Sequence, residues 1–116
     1  MPPKKVALAD HNDAIDAPWT PSLLAALNGQ HLKIVRTSGS FVWHSHAHED
    51  ELFYVVSGAL VLHFEDGAVH LGPGELCVVP SGVRHKPEGD AVVLLFEPAS
   101  TVRTGEVPAG EAPGAG

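Results

Sequence analysis

Phe41-Val42-Trp43-His44-Ser45-His46-Ala47-His48 runs through Glu49-Asp50 into Glu51-Leu52-Phe53-Tyr54-Val55-Val56-Ser57-Gly58, and this stretch decides how the chain is read. Histidines alternate in its first half, and on a strand alternate side chains leave the same face. The imidazoles of His44 and His46 therefore converge on one point. The second half is rich in Val, Phe and Tyr and reads as the following strand. A short connection lets that strand return antiparallel, which carries the Glu51 carboxylate to the side of the two imidazoles. Phe53 and Val55 share the parity of Glu51 and are expected to point inward as the apolar wall of a cavity. Trp43 and Tyr54 have the opposite parity and are expected to pack outward, on a helix, on the N-terminal arm or on another subunit.

Beyond this stretch the texture is that of an all-β chain, with short runs of Val, Leu and Phe separated at close intervals by Gly, Pro and Asp. Strands are predicted over residues 31–37, 41–46, 51–57, 59–65, 68–71, 76–80 and 91–97. Asp66-Gly67 marks a two-residue hairpin, because both residues tolerate positive φ, and Gly72-Pro73-Gly74 and Pro80-Ser81-Gly82 mark further turns. So many short strands leave open edges unless the sheet closes, which predicts an antiparallel β-barrel or jelly roll. One short helix is predicted at residues 21–27: Thr20-Pro21 reads as a cap followed by proline, Leu23, Leu24 and Leu27 share a face, and Asn28-Gly29 reads as a stop. Residues 1–17 lack periodicity and read as an N-terminal arm, and residues 18–105 as the barrel domain. The Gly-, Pro-, Ala- and Glu-rich residues 106–116 read as a flexible tail with too little apolar bulk to pack.

With 116 residues, 44% of them hydrophobic, the chain can bury one core and so is expected to carry one site. Its 14 acidic and 7 basic residues give a net charge of -7, with no Lys/Arg block, which argues against nucleic acid as a partner and for a small diffusible molecule. Cys77 is the single cysteine, so no intramolecular disulfide forms and a cytoplasmic location is expected. Among Leu76, Val78 and Val79 it reads as a small buried hydrophobe. The apolar run at residues 6–9 is too short for a signal segment and no later run is long enough for a membrane span.

A further histidine, His85, follows the turn Pro80-Ser81-Gly82-Val83-Arg84, and only tertiary closure can bring it to the other ligands. Gly39-x4-His44-x-His46-x4-Glu51-x6-Gly58 resembles the first motif of the cupins, and Gly74-x5-Pro80-x-Gly82-x2-His85 resembles the second. Two features depart from the usual pattern: the first glycine stands one residue closer to His44, and Gly89 replaces the Asn that ends the second motif. The run from Lys33 to Pro98 is also similar to small single-domain cupins described as mannose-6-phosphate isomerase-like. The resemblance implies a cupin barrel in which His44, His46, Glu51 and His85 bind one divalent metal. His46 and His48 alternate too, but only Glu49 and Asp50 then precede Glu51, which is shorter than the motif, so His48 is read as a non-ligand. Glu49 and Asp50 are read as solvated acids at the site entrance, and His11, His31, His63 and His70 as solvent-facing.

Three imidazoles and a carboxylate suit a borderline transition metal (Fe, Mn, Ni, Zn, Co or Cu) and leave coordination positions open, which is the character of a catalytic site. The expected function is a metal-dependent enzyme on a small oxygen-bearing metabolite, either an oxygenase or an isomerase/lyase working by Lewis-acid catalysis. The competing reading is a cupin that binds a metal or metabolite without turnover, favoured if the cavity holds no acid or base beyond the ligands. Arg84 and Lys33 read as solvated charges, either able to neutralise an anionic group. A homodimer is expected from the outward parity of Trp43 and Tyr54.

Overall fold

Glycine-bearing turns at short intervals leave this chain little room for helix, and eight strands form among the residues described (2–12, 17–102 and 105) in a computed structural model of the protein. They are β1 (Ser22–Leu27), β2 (Gln30–Thr37), β3 (Glu51–Gly58), β4 (Leu60–Phe64), β5 (Gly67–Leu71), β6 (Leu76–Val79), β7 (His85–Glu88) and β8 (Ala91–Pro98). The larger antiparallel sheet has the order β1-β2-β8-β3-β6 and the smaller β5-β4-β7, and together they make the expected jelly roll. The core lies between the sheets: Val35, Phe53, Val55, Val93 and Leu95 come from the larger, and Leu60, Leu62 and Leu71 from the smaller. Strict alternation of buried and half-buried positions along β8 follows from one face of the strand meeting this core. No helix among the described residues is long and apolar enough to cross a membrane.

Three expectations need correction. Residues 21–27 are not helical: β1 occupies this segment as an edge strand, with Leu23 and Leu27 exposed. Asn28 (φ 49°) and Gly29 (φ 76°) form the tight turn of a β1–β2 hairpin, so the dipeptide taken as a helix stop is a hairpin signal. The short helix among the described residues is instead α1 (Ala9–Asn12), inside the N-terminal arm. Residues 41–46 do not form a continuous strand; this segment touches β7 through isolated bridges, Ser40 to Glu88 and His44 to His85. The unforeseen strand is β7, whose Pro87 and flanking Gly82 and Gly89 disguise it. Proline is tolerated there because β7 ends its sheet, and the Pro87 carbonyl accepts from the Phe41 N–H at 2.9 Å. The tail at residues 106–116 lies outside the described residues.

Gly58 sits where the chain leaves β3, at φ 82°, and a Cβ there would collide with the Asp90 carbonyl oxygen and stand 2.8 Å from Ala91 Cα. Gly82 has a similar φ of 80° but open space around it. Gly58→Ala is therefore expected to cost roughly 3 kcal/mol or more, and Gly82→Ala only the ~1 kcal/mol of left-handed backbone strain. Urea unfolding of the two variants checks this; equal losses would contradict it.

Candidate metal centre

Backbone hydrogen bonds assemble the cluster before any side chain takes part. His44 and His85 exchange both of their backbone bonds, His44 N–H to His85 O at 3.0 Å and His85 N–H to His44 O at 2.9 Å. Directly paired residues project their side chains to the same side, so this bridge brings the distant His85 to the His44 ring. Gly82 N–H donates to His46 O at 2.7 Å, and the Asp50 carboxylate accepts from Ser81 N–H at 2.8 Å. Asp50 is thus more than the solvated acid expected: it ties the loop before β3 to the turn before β7. Glu51 opens β3 with inward parity.

The result is one buried constellation. A ligand atom from each of His44, His46, Glu51 and His85 lies within 4.8 Å of the others, and such a group could hold a metal ion. The ring centroids of His44 and His85 are 4.3 Å apart and those of His44 and His46 5.1 Å. Nδ1 of His44 lies 2.8 Å from Val42 O, and Nδ1 of His85 lies 3.0 Å from Val83 O. A carbonyl can only accept, so each Nδ1 carries the proton and each Nε2 offers its lone pair, the outer-shell arrangement typical of ligating histidines. Nε2 of His46 and His85 stand 3.5 and 3.6 Å from Glu51 Oε1, too far for good hydrogen bonds. All three of these buried atoms lack a hydrogen-bond partner among the described residues. Leaving them so is costly, and a cation that accepts their lone pairs removes the cost, so the residues fit a metal. His48 is exposed and outside the cluster.

Electrostatics divide the titratable groups. Burial, reinforced by His85, lowers the His44 pKa from 6.5 to about 4. For His46 burial also pushes downward, but Glu51 overcomes it and the pKa is raised. Burial would raise Glu51, yet the His46 and His85 imidazoles hold it well below the usual carboxylate range. Glu97 moves the other way, raised by burial and by the charge of Glu51. Without metal, the folded protein keeps His44 neutral between about pH 6.5 and 4 while the unfolded chain binds its proton, so this group makes stability fall as pH drops through that window. The full effect is on the order of 3 kcal/mol. His46 opposes it, since its contribution is present at low pH and lost as pH rises through its raised folded value. Chelator-treated His44→Gln should accordingly lose less stability than wild type between neutral pH and about pH 4 in urea titrations; parallel losses would remove His44 from the account.

Residues 31–97 of the chain match the family model of the cupin domain. The chain belongs to the cupin family. A cupin-2 domain containing protein from Shewanella frigidimarina is 36% identical with a TM-score of 0.77, over 80% of this cupin and 93% of that chain. Protein NMB1881 from Neisseria meningitidis is 29% identical with a TM-score of 0.74, over 83% of this cupin and all (100%) of that chain. The hydroquinone 1,2-dioxygenase PnpCD, solved with Fe3+, shares 19% identity and a TM-score of 0.63 over 73% of this cupin and 29% of that chain, a likeness of fold. No curated protein matches the sequence.

The cluster opens into a small cavity to which His44 and Glu51 contribute. Phe53 lines it as expected, with Val35, Phe41, Val93 and Leu95, while Val55 is buried in the core. Two further charged residues line this cavity, of which Glu97 was not anticipated and Lys33 was expected in solvent. Glu97 is 3% exposed and lies on the inward parity of β8 with Val93 and Leu95, an acid on a core face that the alternation could have revealed. Lys33, read from the sequence as a surface charge, reaches into the cavity with its Nζ 3.5 Å from Glu97 Oε1 and its side chain 19% exposed. Arg84 stays outside, its guanidinium 4.9 Å from the centre of the Trp43 ring. Gly105 lies against His46, where a Cβ would come within 2.8 Å of His46 Nδ1. Other expected bystanders have ordinary places: His63 pairs with Glu88 at 2.8 Å, Glu49 accepts from Ser100 at 3.0 Å, and Cys77 is only partly buried against the core.

Proposed function

We propose that this cupin is a metal-dependent enzyme acting on a small oxygen-bearing molecule, with His44, His46, Glu51 and His85 holding one divalent transition metal. The observation that carries this reading is that the four buried donors form one cluster and that two of them, His44 and Glu51, line a largely apolar cavity through which a small molecule would reach the metal. When bound, such an ion supplies Lewis-acid polarisation of a carbonyl or hydroxyl oxygen or, if redox-active, activation of dioxygen. The protein's own contributions are distinct. Val42 O and Val83 O hold two imidazoles in one tautomer. Phe41, Phe53, Val93 and Leu95 exclude water. Glu97 adds a carboxyl group beyond the ligands, which favours turnover over a purely binding role. The test is turnover of a panel of small hydroxy, keto and enolic compounds, with and without chelator and with an oxygen electrode. Activity that a divalent ion restores supports the reading, oxygen consumption separates oxygenase from isomerase or lyase, and full activity in metal-free protein would refute it.

We further propose that two copies pair through the outer face of the larger sheet. Across β6, β3, β8 and β2 the residues Val78, Leu52, Phe96 and Leu32 are in register, as are Leu76, Tyr54 and Leu94 across β6, β3 and β8, while Ile34, next in that row on β2, is fully buried. These two apolar ladders face away from the core, with Leu76 55% and Val78 49% exposed. Such a patch is self-complementary under a two-fold axis. Trp43, stacked under Arg84, is not part of it. Light scattering should give a dimer for the wild type and a monomer of unchanged metal content for Leu76→Lys/Val78→Lys; a monomeric wild type would sink the proposal.

A further inference from the structure

We infer that Lys33 is the anchor for an anionic group on the ligand, so that the cavity selects small acids with a largely apolar body over neutral molecules of the same skeleton. This rests on the metal-centre reading above and names the class of substrate it takes.

Lys33, Val35 and Thr37 alternate on the inner face of β2, and the first of them extends a cation into a cavity otherwise walled mainly by Val35, Phe41, Phe53, Val93 and Leu95. Its counterion is Glu97, yet the 3.5 Å between Nζ and Oε1 exceeds the ~2.8 Å of a charge-assisted hydrogen bond. None of the three ammonium donors makes a hydrogen bond among the described residues. Glu97 leaves the pairing equally incomplete, since its Oε2 is buried without a hydrogen-bond partner among the described residues. An ammonium mostly withdrawn from water with open donors is disfavoured unless something completes its shell, and within this cavity a ligand carboxylate does so. Glu51 and His44 present the metal site at the same cavity wall. A molecule with a metal-seeking oxygen at one end and a carboxylate at the other satisfies both, and its middle section meets apolar side chains. Thr37 does not compete for the anion, because its hydroxyl donates to Gly89 O at 2.7 Å.

The experiment uses metal-loaded full-length protein and matched pairs of probes: 3- and 4-hydroxybenzoate against the corresponding hydroxybenzyl alcohols, and 4-oxopentanoate against 5-hydroxy-2-pentanone. Binding is read by titration calorimetry, with metal content measured on the same samples. In the wild type at least one acid should bind about tenfold or more tightly than its alcohol, in keeping with an added charged contact in a water-poor site. Lys33→Met, which keeps the apolar stem, should bring that ratio to within about twofold at unchanged metal content, and Lys33→Arg should retain most of it. Equal affinity for acids and alcohols, no binding by any probe, or a preference that survives in Lys33→Met would overturn the inference. Wild-type protein that cannot be loaded with metal marks the failure of the metal-centre reading instead, and Lys33→Arg guards against a Lys33→Met that does not fold.

Discussion

His85→Ala and Glu51→Ala proteins, purified alongside the wild type without chelator, are expected to carry less than about a tenth of its metal. Loss of an outer-shell partner alone costs 10–100-fold in affinity as a rule, and removal of a direct donor costs at least as much. His85 is the sharper test. Its ring is fully buried (0% exposed), its Nδ1 is already committed to Val83 O, and its Nε2 has no hydrogen-bond partner among the described residues. An imidazole held so is suited to accept a ligand at Nε2. His44→Ala and His46→Ala should behave in the same way, whereas His48→Ala, which alters an exposed side chain outside the cluster, should leave occupancy unchanged. Elemental analysis against protein concentration, with circular dichroism to confirm folding, measures this directly. Occupancy lost in His48→Ala and kept in His44→Ala would show that the ligand register is wrong by a full strand repeat.

Chelation is expected to lower the unfolding temperature of the loaded protein by roughly 15 °C or more. A ligand that binds only the native state adds about 4 kcal/mol when its free concentration is a thousand times its dissociation constant, and about 1 kcal/mol moves the midpoint of a domain this size by ~4–8 °C. The physical source is local. Without an ion, Glu51 Oε1, His46 Nε2 and His85 Nε2 are buried without hydrogen-bond partners among the described residues, and two imidazoles hold the Glu51 carboxylate ionised against its burial. Calorimetric scans of wild type and Glu51→Ala, each with and without chelator, separate this from a general chelator effect: the variant should be insensitive. A wild type whose midpoint does not move with chelator would mean that these four residues form a structural polar cluster.

Alternation along single strands was legible in the chain itself, and most of the site follows from it. His44 and His46 leave the same face because they are two residues apart, and Glu51, Phe53 and Val55 face the interior for the same reason. The period of two is a property of the extended backbone and needs no partner strand. It failed where a local signal has two meanings: Asn28-Gly29 stops a helix or turns a hairpin, and the spacing of Leu23, Leu24 and Leu27 fits either. Only pairing with β2 selects the strand. Likewise β7, with proline in its middle, is defined by Phe64 and His63 of β4 opposite it and not by its own composition.

What tertiary structure alone decided is which inward residues share one cavity. His85 is 34 residues beyond Glu51 and is brought to the cluster by its reciprocal backbone bond with His44, supported by the Gly82–His46 bond and the pairing of β7 with β4. Lys33 and Glu97 lie at opposite ends of the barrel sequence, and charge by itself placed Lys33 in solvent. The β2–β8 register sets Lys33 opposite Leu95, one inward step from Glu97, so that the two meet in the cavity that His44 and Glu51 also line. The sequence by itself therefore determined the faces of the strands and the motif that marks the four clustered residues, because these depend on spacing along one chain. Burial of a charge depends on the strand that closes over it, and that was settled only when the sheets came together.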